Sequence, residues 1–427
     1  MPFTDPHPLR LTLVSVFAAA ASLSSAGCSV YDARLLDIDA AEVPDAPSPM
    51  DAPLMFASRQ PPPRPPIPDD DIFIGQRTFA LRDSLLNQGI MWRQIGYDLD
   101  GVQTAGATGF MTQCHPQSGD NPQTDGIDGV DNTFGSALFP LVNGVVRGLQ
   151  ETAQQAQMQG MGMPVLRLSE WNGLANDSRV DVAVTTAVLS TSADGIGSAP
   201  PVVNIVNPRL MLLENGMEAP GPAWDGMDWT WVRSDTFGGN DLARPAIQDD
   251  NAYVANNQLV VRLPTLELTF PAESVGVAVS LSQAIIVGTL TQDGGLADVT
   301  VTGRWSVAAL LSTAEAVGLC IGSDQYILLE TNLDRLADIR RVPPEPGEAN
   351  LTCDAISVAV TFQGFPIRIA SLTTGLAIVN QCASMGDAGV DGGGSDAGVD
   401  AFSGFDAPDA FTPTPDAFSP DTRADAR

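Results

Sequence analysis

The chain has 427 residues and a formal net charge of −30, and all 21 of its basic residues are Arg. Having no Lys excludes Schiff-base chemistry, a P-loop lysine and a Ser-Lys nucleophile pair, and so acidic a surface is repelled by phosphate backbones, which excludes nucleic acid as a partner. Its two histidines are His7 and His115. With His7 in the N-terminal leader, two-histidine metal sites cannot form, and a Ser-His-Asp triad would have to run through His115 with no GxSxG sequence to partner it.

The apolar run from Leu11 to Ala21, preceded by Arg10, is too short to span a bilayer and ends in Leu23-Ser24-Ser25-Ala26-Gly27-Cys28. This is the layout of a lipoprotein export signal, so residues 1–27 are expected to be removed and Cys28 to carry the lipid. Ser29 follows the cysteine, whereas Asp there would favour the inner membrane; the expected location is the outer membrane or cell surface. Residues 28–72 read as a tether, rich in Pro, Ala and Asp and ending near Pro61-Pro62-Pro63-Arg64-Pro65-Pro66. Such a segment buries too little apolar surface to fold, and at about 3.1 Å per residue it reaches on the order of 100 Å.

Residues 73–382 form the expected globular core, as one large or two packed domains. Period-two alternation marks strands at Arg179–Val184, Leu259–Leu263, Leu266–Phe270 and Ile356–Val360, and Asp293-Gly294-Gly295 reads as a hairpin turn. Helical spacing appears at Ala137–Met158, through Leu138, Leu141, Val142, Val145, Val146 and Leu149, and an Ala- and Leu-rich stretch covers Trp305–Leu319. The expected class is mainly β with a few helices, α+β being the neighbouring option, with a β-sandwich or jelly-roll-like core. Residues 383–427 repeat Asp-Ala units and read as an acidic low-complexity tail.

Beyond Cys28 the cysteines are Cys114, Cys320, Cys353 and Cys382, an even number in an exported chain, so two disulfides are expected. Four cysteines allow three connectivities. Closing the shortest loop favours Cys320 with Cys353, leaving Cys114 with Cys382.

One constellation suggests chemistry. Asp98, Asp100, Asp125, Asp128, Asp131 and Asn132 are interleaved with Gly101, Gly126 and Gly129. Carboxylates supply the hard oxygen ligands that calcium takes, and glycines let the chain fold tightly around it, so calcium is the candidate cofactor of this segment. An EF-hand does not fit, because Val102, Gln103 and Gly109 stand where an oxygen ligand, Gly and Glu are required. Asp-Gly pairs also make plain turns with the acids facing water, and the spacing is compatible with both.

The lipobox, the Asp/Ala/Pro/Gly flanks, and Gly96-Tyr97-Asp98-Leu99-Asp100-Gly101 followed by Cys114 and Asp125–Asn132 resemble the large paralogous sets of uncharacterised lipoproteins in myxobacteria. The resemblance implies location and class, and no activity. A binding or structural role is therefore expected, with the membrane as one partner through the lipid and a polysaccharide or another envelope protein as the other. The alternative is a polysaccharide-binding protein or glycoside hydrolase. Glu170, Asp225, Asp228 and Glu267 lie near Trp171, Trp224, Trp229 and Trp231, and a carboxyl pair beside aromatic platforms is what sugar chemistry uses.

Overall fold

Alternation of buried and exposed side chains builds long antiparallel strands whose pairing decides the architecture. The computed structural model describes residues 58–66, 73, 75–104, 112–145, 148–193, 199–207, 210–272, 275–345, 348, 350–375 and 382. The signal, Cys28, most of the tether and the acidic tail lie outside the described residues. In chain order the elements are β1 (Arg77–Leu85), α1 (Phe139–Val145), α2 (Leu149–Met158), β2 (Pro164–Ser169), β3 (Asp177–Thr191), β4 (Val203–Asn207), β5 (Leu210–Leu213), β6 (Trp229–Arg233) and β7 (Gln248–Ala255). There follow β8 (Gln258–Ala272), β9 (Val275–Leu290), β10 (Leu296–Ser306), α3 (Val307–Ala316), α4 (Asp324–Leu336), β11 (Ala355–Pro366) and β12 (Arg368–Thr373).

The class is mainly β with a few helices, as expected. Within that class the sheet closes on itself. The antiparallel pairs run β1-β2-β3-β7-β8-β9-β10-β11 and return to β1, so each barrel strand neighbours the next in sequence and the two edges a sandwich would leave open are joined. The fifteen-residue β3 serves two partners: Asp177 to Ala183 pair with β7, while Ala187 to Thr191 diverge to pair with β6, which carries β12 in parallel.

Eight strands leave an interior that side chains can fill. Val180, Val182 and Val184 of β3 and Ile356, Val358 and Val360 of β11 point into one buried cluster, each such side chain contributing about 1.5–3 kcal/mol when fully buried. In β8 the inward set is Leu259, Val261 and Leu263, then Leu266 and Leu268; in β9 it is Leu281, then Ala284 and Ile286. Both strands thus change phase together, opposite one another, at Pro264 and Gln283, where Gln283 holds φ of 49°. A proline that cannot donate and a left-handed residue make an irregularity that bends the pair. Beyond the bend, Thr313 of α3 donates its hydroxyl to Ala278 O of β9 at 2.8 Å.

Several local expectations change in the fold. The helix expected over 137–158 is a π-helical turn at Phe134–Leu138 running into α1, and then α2, which starts after Gly148 at φ 79°. A left-handed residue cannot continue a right-handed helix, and periodicity does not register it. Trp305 and Ser306 finish β10 rather than begin a helix; the Ser306 hydroxyl then accepts from Ala309 N at 3.2 Å and caps α3. The unanticipated α4 is capped likewise by Ser323 accepting from Tyr326 N. At the expected hairpin, Gly294 adopts φ 84° between β9 and β10.

The disulfide pairing is corrected. Cys114 joins Cys353 and Cys320 joins Cys382, with Cα separations of 5.1 and 5.2 Å. Loop length misled because backbone pairing, not sequence distance, brings cysteines together: His115 N donates to Leu351 O and Cys353 N to His115 O, each at 2.8 Å, which aligns Cys114 beside Cys353. His115 itself is exposed. The tether boundary also moves, since residues 58–66 lie against the barrel and belong to the same compact unit, Phe56–Arg427. Two disulfides fit an oxidising environment outside the cytoplasm. Among the described residues no helix is long and apolar enough to cross a membrane.

Candidate metal centre

The acid-rich segment lies on the outer wall of the barrel. After β1 the chain makes a 3-10 turn at Gly89–Gln94 and then lays Tyr97 and Leu99 over Tyr253, Ala255, Val260, Ile285 and Val287, the outward faces of β7 to β9. The irregular run 96–104 is held against 125–132: Asp131 N donates to Tyr97 O at 3.1 Å and Asp125 N to Thr104 O at 2.9 Å. Two acidic stretches distant in sequence therefore meet.

Asp98, Asp100 and Asp131 each place a carboxylate oxygen within 4.8 Å of the others. Such a group can hold a metal ion. Asp98 and Asp131 are each only 4% exposed. The Asp98 carboxylate accepts from Gly101 N at 2.6 Å and from the Ser58 hydroxyl; that of Asp131 accepts from Leu99 N at 2.6 Å and Asp100 N at 3.3 Å. Asp100 accepts from Val102 N at 2.9 Å and Asp125 from Thr104 N at 2.5 Å. Glycine is required at two places. Gly101 turns the chain at φ 76°, and Gly129, at φ 74°, packs so closely that a Cβ would stand 3.2 Å from Asp98 Oδ2.

Crowding four carboxyls out of water makes their ionisation costly. Burial raises Asp100 to about 7, opposed by its backbone hydrogen bond from Val102 and reinforced by Asp98 and Asp338. Burial likewise raises Asp125 to about 8, with Asp100 and Asp338 adding to it. Asp131 is pushed well above the ordinary carboxylate range by burial and by Asp100, Asp125 and Asp338. Asp338 follows α4; burial raises it too, although Ser357 N, the Ser357 hydroxyl and the Thr133 hydroxyl donate to it at 2.9, 2.5 and 2.8 Å. Arg304 of β10 supplies positive charge, 3% exposed and facing Asp131, Asp100 and Asp338. One guanidinium thus faces a cluster of acids whose ionisation burial opposes.

The centre borders a cavity of about 440 Å³ lined by Asp98, Asp100, Arg262, Arg304, Gln60 and Gln283 among others. The bend at Gln283 thus shapes its far wall. Not every expected ligand joins. Asp128 is exposed, at φ 58° in a 3-10 turn. Asn132 is buried and committed elsewhere: its amide nitrogen donates to Gln88 Oε1 and Ile95 O at 2.7 and 3.0 Å, and its oxygen accepts from Gly135 N and Ala359 N at 3.0 and 3.2 Å. Asp338 and Arg304 were missed, because no local pattern links residues 200 positions apart.

Trp171, Trp229 and Trp231 are buried, and Trp224 stands edge-on to Phe365 with the Arg82 guanidinium 4.8 Å from its ring centre. Asp228 is fully buried and accepts from Ala223 N and Trp224 N, a turn lock. Glu170, Asp225 and Glu267 are exposed. Comparison with protein-family models, with curated proteins and with solved structures gives no significant match, so the centre is read from its own geometry.

Proposed function

We propose that this chain is an exported, lipid-anchored envelope protein that acts by binding, with calcium held at Asp98, Asp100 and Asp131 as part of its fold. The observation that carries the reading is the convergence of three carboxylates, from two loops folded against each other, to within 4.8 Å. The donors are all hard oxygens, with no His or Cys among them, which favours calcium over zinc or copper. A cation would also reverse the electrostatic cost of the buried acids, since it favours the ionised form that burial opposes. Support for the anchor comes from the apolar run and small residues before Cys28, and from the disulfides, which belong to the same side of the membrane. The partner on the far side of the tether is another envelope protein or a polysaccharide.

Thermal unfolding with calcium, magnesium or chelator tests the cation. A ligand at a hundredfold excess over its dissociation constant stabilises a fold by about 2.7 kcal/mol, so millimolar calcium is expected to raise the midpoint by several degrees, and magnesium by less. Asp100→Asn and Asp131→Asn are expected to abolish the calcium shift. Superimposable wild-type curves in calcium and chelator would remove calcium from the reading.

A further inference from the structure

The stretch Gln60-Pro61-Pro62-Pro63-Arg64-Pro65-Pro66 has too few backbone N–H groups to join a sheet, and it forms no strand. Chains of this kind are recognised instead through their carbonyl oxygens and ring faces, by aromatic-lined grooves. Such a groove lies beneath it. Tyr253, whose ring is buried in the barrel wall, donates its hydroxyl to Pro62 O at 2.6 Å, and Pro61 is buried beside it. The Arg64 guanidinium stands 4.6 Å from the centre of the Tyr253 ring, with Nη2 donating to Asn251 O at 2.5 Å and Nη1 donating to Ser178 O. At the other end Arg59 lies 5.9 Å from the centre of the Tyr97 ring and donates through Nη1 to Gln94 O. Its backbone is clasped on both sides: Arg59 N donates to Asp128 O at 2.8 Å and Asp98 N to Arg59 O at 2.9 Å.

We infer that the outer wall of the barrel between the acid-bearing loop and β7 is a receptor for an extended, proline-rich, arginine-bearing peptide, and that residues 58–66 of the same chain are its exchangeable occupant. The receptor half is supplied by the barrel and the loop packed on it. Two tyrosines from one buried cluster present ring faces to two guanidinium groups, and backbone carbonyls finish both arginine pockets. The occupant half contributes carbonyls, rings and cations, the chemistry that a polyproline ligand carries wherever it comes from. The segment enters no sheet ladder, so it can leave without opening the barrel. The contacts at Tyr253 and Arg64 lie outside the three carboxylates, whereas Ser58 and Arg59 touch Asp98, so the test below is run in chelator to keep it separate from the cation.

The absence of Lys gives a direct test, because trypsin can cut only after Arg. It does not cut Arg64–Pro65, so the strap offers the Arg59–Gln60 bond, and Arg34–Leu35 in the same chain serves as an internal reference. In the full mature chain, Arg59–Gln60 is expected to be cut at least tenfold more slowly than Arg34–Leu35. Tyr253→Phe, which keeps the ring and removes one hydrogen bond, and Arg64→Ala should each narrow that gap threefold or more, with the thermal midpoint recorded to show that the barrel still folds. A synthetic peptide of residues 60–67 in excess, which carries Arg64 and the proline run but no bond that trypsin cuts, should speed cutting at Arg59 and leave Arg34 unchanged. Equal rates at the two bonds in the wild type would overturn the proposal, as would an Arg59 rate indifferent to the peptide. Protection that falls on diluting the protein would assign the strap to a second copy and overturn occupancy within the chain.

Discussion

Arg304, near the C-terminal end of β10, reaches the carbonyl oxygen of Leu99 at 2.5 Å across 205 positions of sequence, and so ties the acid-bearing loop to the barrel that carries it. Its other terminal nitrogen donates to Arg340 O at 2.6 Å. The same guanidinium therefore orients the loop and offsets part of its charge.

Replacing Arg304 by Met should cost about 3–5 kcal/mol, because it leaves buried carboxyls uncompensated and two carbonyls without donors. Urea unfolding in chelator is the measurement, read as a lower midpoint. Calcium should recover part of the loss, since a cation replaces some of the missing charge.

The raised carboxyls set a pH dependence with a definite sign. Asp100 at about 7 and Asp125 at about 8 bind protons more tightly folded than unfolded. In chelator their contribution is fully present below the unfolded carboxylate pKa of about 4 and is lost as pH rises through about 7 to 8. Calcium should cancel that decline. Calorimetry in buffers of different ionisation heat should find protons released on calcium binding at pH 7, with apparent affinity rising toward pH 8.5. No proton release, with calcium bound, would show the acids to be ionised beforehand.

Asp128 and Asn132 are separated by their surroundings. Asp128→Asn should leave stability and calcium response within about 0.5 kcal/mol of wild type, as an exposed side chain does. Asn132→Ala breaks a buried network joining Gln88, Gly135 and Ala359, and should cost about 2–3 kcal/mol equally in calcium and in chelator. A calcium-dependent loss for Asn132→Ala would make it a ligand after all.

Removing the buried Cys114–Cys353 bridge with a double Ser substitution should destabilise the core by about 2–5 kcal/mol, read from denaturant midpoints. Peptide mapping without reductant should recover Cys114 linked to Cys353 and Cys320 linked to Cys382. A linked Cys320–Cys353 peptide would contradict the register described here.

Cys28→Ser should leave the exported chain without lipid and move it from the detergent phase to the aqueous phase on phase partitioning. Continued partitioning with membranes would show that the anchor lies elsewhere.

What the sequence determined by itself were the properties that a short window contains. Alternation at Arg179–Val184 and Ile356–Val360 found β3 and β11 because a strand's two faces differ in burial, and Asp-Gly-Gly found the β9–β10 turn because φ above zero favours glycine. Composition excluded lysine chemistry, and the density of Asp and Gly pointed to the segment in which Asp98, Asp100 and Asp131 converge. Tertiary structure decided everything that depends on partners far apart in the chain. Closure of the barrel rests on β3 meeting β7 and β11 meeting β1, and the cysteine pairing rests on His115 lying beside Thr352. Within the acid segment, Asp98, Asp100 and Asp131 converge while Asp128 faces water and Asn132 turns inward, a choice made by how two loops pack on β7 to β9. Side-chain direction in a loop is set by its contacts, and those contacts come from Arg304 and Ser58, neither of them a neighbour in sequence.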